Sequence, residues 1–133
     1  MKRTTTILAA LILAAAGASR AAAQGCWTAD DKAELKITGT LAIVKFKHPN
    51  GSNLQAYVVR LPKAACADVT DIDNKVARVN KIGRVQLAGE LDEPTVKRLL
   101  NKRVTVGGTL FGQHTAYHIA PVLIQLKSID PAK

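Results

Sequence analysis

Histidine is the side chain here best suited to chemistry near neutral pH, and the sequence holds three: His48, His114 and His118. Neutral imidazoles are common ligands for zinc and copper, so three converging rings would make a metal site. A catalytic zinc site uses three protein ligands, each with an orienting partner. His114 and His118 are four apart but lie outside any helical pattern, so spacing alone does not bring their rings together. Hydrogen bonding within their own loop is the simpler role. A second set, Lys45, Lys47, Tyr57, Arg60 and Tyr117, mixes cations with aromatic rings, a mixture that suits an anionic ligand.

Covalent and acid–base chemistry find less support. Ser52 and Ser128 lack the Gly-x-Ser-x-Gly context of an activated serine. Glu90, Asp92 and Glu93 cluster at a helix start, where capping accounts for them, rather than facing each other across a cleft. There is no Cys-x-x-Cys motif. Asp71 and Asp73 have the first spacing of a calcium loop but lack its glycine and terminal glutamate. The sequence reads as that of a protein that is not an enzyme.

Most of the elements that must position these residues are strands. From Leu35 to Lys47 apolar and polar residues alternate, and His48-Pro49-Asn50-Gly51 is a turn signal. A second strand runs about Leu54 to Leu61 and is expected to end at Pro62; residues 64–74 read as a surface connection. A third runs from Val76 to Ala88. Leu91 to Lys102 reads as a helix, with Asp92 as N-cap, Pro94 in the first turn and Val96, Leu99 and Leu100 as its apolar stripe. Val104 to Phe111 and a segment from Val122 give the last two strands, with His114 and His118 between them. The class is mainly β: a small five-stranded OB-like barrel with one short helix between strands three and four. An open α+β sheet is the alternative. In the barrel, the His48 loop and the His114–His118 loop flank one face. Ile37-Thr38-Gly39-Thr40-Leu41 resembles Val106-Gly107-Gly108-Thr109-Leu110, consistent with glycines where strands turn corners.

Residues 1–23 have the layout of a secretory signal peptide: Lys2 and Arg3, an apolar run from Ile7 to Gly17, then Ala21-Ala22-Ala23. That run is too short to span a bilayer, so no transmembrane segment is expected after cleavage. Residues 24–133 form one domain, periplasmic or secreted. In that compartment Cys26 and Cys66 are expected to pair. The domain keeps 16 basic and 10 acidic residues, a net +6. Such a balance favours anionic partners, and outside the cytoplasm an envelope component fits better than nucleic acid.

The residues Lys102-Arg103-Val104-Thr105-Val106, Gly108-Thr109-Leu110-Phe111, His114-Thr115, His118, Pro121-Val122-Leu123 and Lys127-Ser128-Ile129 carry a resemblance. Over these positions the chain is similar to the domain of unknown function 4431 family of small exported bacterial proteins. That family is histidine-rich in this loop, whereas Gly112, Tyr117 and Ile119 stand here at three such positions. The resemblance implies no reaction and no cofactor. The expected function is therefore a non-catalytic exported binding module, its ligand an anionic envelope component or a protein. A histidine-dependent zinc or copper protein is the alternative, and an inhibitor of an envelope hydrolase a third.

Overall fold

The computed structural model describes residues 25–29 and 32–133. The expected signal peptide, residues 1–23, lies outside the described residues. Six strands and one helix follow in the order β1 (Trp27–Ala29), β2 (Leu35–Lys47), β3 (Asn53–Thr70), β4 (Val76–Ala88), α1 (Glu93–Leu99), β5 (Arg103–Gly112) and β6 (Val122–Pro131). The protein is mainly β, and the strands form one sheet whose pairings close on themselves. Starting from β3, the order is β2, β5, β6, β4 and back to β3, with β1 added on β3. These pairings are antiparallel except β4 with β6 and β1 with β3. An open sheet is thereby replaced by a ring of hydrogen-bonded strands.

Alternation sets the two faces. Ile37, Leu41, Val59, Val85, Val104, Val106, Leu110 and Ile124 point into the interior cluster and are almost wholly buried. Val96 and Leu99 of α1 join that cluster, so the helix closes one end of it. Burying a side chain of this size is worth about 1.5–3 kcal/mol, so the cluster carries most of the stability. The Asp92 carboxylate caps α1 by accepting from the Thr95 amide. The chain then turns through Asn101 at positive φ, and the Asn101 amide donates to the Leu41 carbonyl. The helix therefore ends at Leu99 rather than Lys102.

Two expectations about β3 are corrected. Pro62 does not end the second strand. It falls where the β3–β4 register is interrupted, between Arg60 and Ala65, and there a residue without an N–H costs no ladder bond. Residues 64–70 are strand, paired to β4 on one side and to the short β1 on the other. Trp27 stands opposite Ala67, so Cys26 and Cys66 are neighbours one step before the ladder begins, and they are bonded. Asp71, at the β3–β4 turn, spends a carboxylate oxygen on the Asp73 and Lys75 amides, a turn role rather than an ion-binding one.

Gly39 and Gly108 mark close strand approaches. A Cβ on Gly39 would collide with the Arg60 carbonyl and the Val59 side chain, and one on Gly108 with the Gln125 carbonyl. Gly107 and Gly108 straddle the register shift between β5 and β6.

Candidate functional site

The outer face of the sheet carries a row in which Ala42 stands opposite Val58, Val58 opposite Gln86 and Gln86 opposite Leu123. All four are buried, although they point away from the interior. The cover is the loop between β5 and β6. Gln86 holds it with both ends of its amide: Nε2 donates to the Tyr117 carbonyl at 3.0 Å and Oε1 accepts from the Ile119 amide at 2.7 Å. Arg84 adds a bond to the Ile119 carbonyl at 3.0 Å, and Ala120 is fully buried. Gln86 is the only buried polar side chain among the described residues, and every bond it makes in this set goes to the loop.

This fixed loop meets the other hairpin. The ring of Tyr117 lies 4.5 Å from that of His48, centroid to centroid, with the planes inclined at 35°. His48 sits in the β2–β3 turn. Its Nδ1 accepts from the Asn50 amide, and its own amide donates to the Ser52 carbonyl. Two turns from distant parts of the chain thus meet through one ring contact. Tyr117 keeps 56% of its surface exposed there, so the contact leaves most of the ring open to solvent.

The histidines divide into two groups. His114 and His118 are 4.6 Å apart edge to face, and each packs within 5.8 Å of Phe111. His114 Nδ1 lies 3.0 Å from the Gly112 carbonyl, which can only accept, so His114 carries its proton on Nδ1. His118 Nδ1 accepts from the His114 amide, so neutral His118 carries its proton on Nε2. Burial first, then the nearby His114, holds His118 below the usual histidine range. The free lone pair of the pair is therefore His114 Nε2, while that of His118 is already used. Among the described residues no group of three or more His, Cys, Asp or Glu is placed to hold an ion. Of the three histidines considered as metal ligands, the rings of His114 and His118 meet, and that of His48 lies tilted against Tyr117.

The expected ligand residues also divide. Lys45 and Lys47 are exposed at the end of β2 beside the His48 turn, opposite Gln55 and Asn53, and make no ion pair among the described residues. Tyr57 is not on a ligand face. Its ring belongs to the interior cluster and its hydroxyl donates to Glu93 at 2.8 Å, which ties β3 to α1. That bond, with burial, raises the phenol above its ordinary range. Arg60 is exposed, but its partner on β2 is Thr40, five residues from Lys45. At about 3.3 Å per residue that is roughly 16 Å along the strand, so Arg60 and the two lysines are separate features.

Sequence reading missed the role of Gln86. In a strand alternating Arg84, Gln86 and Ala88 with apolar residues it passes for a solvent-facing position. Its burial depends on a loop thirty residues further on, and local pattern carries no sign of that.

Among the described residues no helix is long and apolar enough to cross a membrane. The family profile for a domain of unknown function (DUF4431) matches residues 84–130, the segment from Arg84 through the helix, β5 and the loop into β6. No curated protein matches the chain.

Proposed function

We propose, with residues 84–130 as a DUF4431 domain, that the chain is a non-catalytic exported binding module. In this reading the ring of strands is an OB-like barrel, and its ligand is the anionic head groups of an envelope component. The single observation that carries the proposal is the contact of His48 with Tyr117, which makes one surface of two hairpin ends. In this reading Lys45 and Lys47, exposed in β2 just before His48, bring unpaired positive charge to the edge of that surface, and Tyr117 an exposed ring with a polar tip. A tyrosine of this kind suits an interface where one side is apolar and the other wet. The strand order and the helix between β4 and β5 support that reading, in which such loops would bracket a binding face. The leader-like pattern of the first 23 residues supports a site outside the cytoplasm.

The test is co-sedimentation of the disulfide-bonded chain with vesicles containing phosphatidylglycerol, compared with vesicles of phosphatidylcholine alone. Binding to the anionic vesicles, abolished by Lys45→Glu with Lys47→Glu and weakened by Tyr117→Ala, is the expected result. Equal binding by wild type and the lysine variant removes this surface from consideration.

A further inference from the structure

A second basic feature lies on the outer face, away from the hairpin ends. Arg103 of β5 stands opposite Thr40 of β2, Thr40 opposite Arg60 of β3, and Arg60 opposite Arg84 of β4. Four adjacent strands therefore present Arg, Thr, Arg and Arg in one row. That these positions share a face is visible next to the row, where the Thr38 and Thr105 hydroxyls meet at 2.9 Å. Two residues from Arg103 and Thr40, they lie on the same side of the pleat.

Like charges directly opposite each other across strands destabilise a sheet, and nothing within the row offsets this. No acidic residue occupies it or the neighbouring positions Thr38, Ala42, Val58, Gln86 and Thr105. Asp130 stands opposite Thr105, and no ion pair joins it to Arg103 among the described residues. Arg84 and Arg103 are each positioned by one bond to a backbone carbonyl, of Ile119 and Lys133. Each keeps most of its five N–H donors free. Arg60, between them, is exposed, and its side chain makes no hydrogen bond or ion pair among the described residues.

We propose that the row Arg103–Thr40–Arg60–Arg84 is a binding site for phosphoryl groups in series. Guanidinium forks match the oxygens of phosphate in pairs, and a tetrahedral phosphoryl group offers enough oxygens to meet two of them at once. A carboxylate, with two oxygens, satisfies one. Neighbouring strands are about 4.8 Å apart, so the row extends roughly 14 Å from β4 to β5, a length that several linked phosphoryl groups would span. The Thr40 hydroxyl adds a neutral donor between two cations. This site does not depend on the hairpin-end reading and stands if that reading fails.

Calorimetric titration of the disulfide-bonded chain with inorganic phosphate, pyrophosphate and polyphosphate tests the proposal. Affinity should rise with the number of linked phosphoryl groups. Arg60→Gln should weaken polyphosphate binding by roughly tenfold or more, and Arg60→Lys should restore only part of it. Lys47→Gln, which removes the same charge at the hairpin end, should change it by less than about twofold. Arg60 is exposed, so Arg60→Lys should melt with the wild type, and Arg60→Gln, which relieves the repulsion with Arg84, should melt at or above it. Three results overturn the site: no binding of any of the three probes, full binding by Arg60→Lys, or equal losses in Arg60→Gln and Lys47→Gln. The last two would mean diffuse attraction to a basic surface rather than a built row.

Discussion

The imidazole of His48 and the phenol ring of Tyr117 are in contact at 4.5 Å, although they belong to hairpins far apart in the sequence. The contact exists because the loop carrying Tyr117 is pulled onto the outer face of β4 by Gln86. Placement of the candidate site thus rests on a buried amide that belongs to neither hairpin end.

Gln86→Leu removes both of those bonds and strands the Ile119 N–H and the Tyr117 carbonyl. An unsatisfied buried group costs about 1–3 kcal/mol, so the variant should lose roughly 2–3 kcal/mol in denaturant unfolding. Amide exchange at Ile119 should accelerate much more than exchange at Val106 in the interior. Unchanged protection at Ile119 would show that Gln86 does not hold the loop.

Tyr57 should behave as a structural link between β3 and α1. Tyr57→Phe loses one bond to a carboxylate and should cost about 1–2 kcal/mol, with no effect on binding by the hairpin ends. The phenol is raised in the folded state, chiefly by its bond to Glu93. The stability it contributes is therefore present in full below the ordinary tyrosine range, near pH 10, and is lost as pH rises through the folded value. Ultraviolet titration should show a tyrosine ionising above that range. The phenylalanine variant should lose the alkaline step.

His118 has the opposite linkage. Its folded pKa is depressed, so its contribution is present above about pH 6.5 and is lost as pH falls through the folded value. Protonation also takes the Nδ1 lone pair away from the His114 amide. Nuclear magnetic resonance titration should find the His118 ring protonating below the ordinary histidine range, with the His114 amide shifting in the same step. If the His114 amide does not follow the His118 ring, the hydrogen bond is not the link between them.

Much of the frame was legible in the sequence, for physical reasons that differ by element. The limits of β2 and β4 follow from period-two alternation bounded by turn residues, and the structure has them at Leu35–Lys47 and Val76–Ala88. Asp92 was legible as a cap because its role is local. The continuation of β3 past Pro62 was not, since proline breaks a strand except where a register shift accommodates it. Nor was β1, three residues whose pairing is held by a disulfide to a partner forty positions away. The same division holds at the site. Lys45, Lys47 and Tyr117 could be read as surface from pattern, whereas Tyr57 goes to the interior because its strand continues the alternation Tyr57, Val59. The joining of His48 to Tyr117 needed the sheet to close.

The Cys26–Cys66 bond closes a loop of 40 residues and fastens β1 to β3. On the chain-entropy account it contributes about 4 kcal/mol. Cys26→Ala with Cys66→Ala should lower the denaturation midpoint accordingly and expose Trp27, which packs against the interior cluster. A red shift of tryptophan fluorescence before global unfolding would report the release of β1. Coincident loss of both signals would mean that β1 and the ring unfold as one unit.

In the proposed function the two hairpin ends act as one ligand surface. Amide spectra of the labelled, disulfide-bonded chain, titrated with short-chain phosphatidylglycerol below its micelle concentration, test it most directly. Shifts should saturate together at residues 45–52 and 113–119, with one common dissociation constant. Shifts confined to one of the two turns, or two turns that saturate at different concentrations, would contradict it.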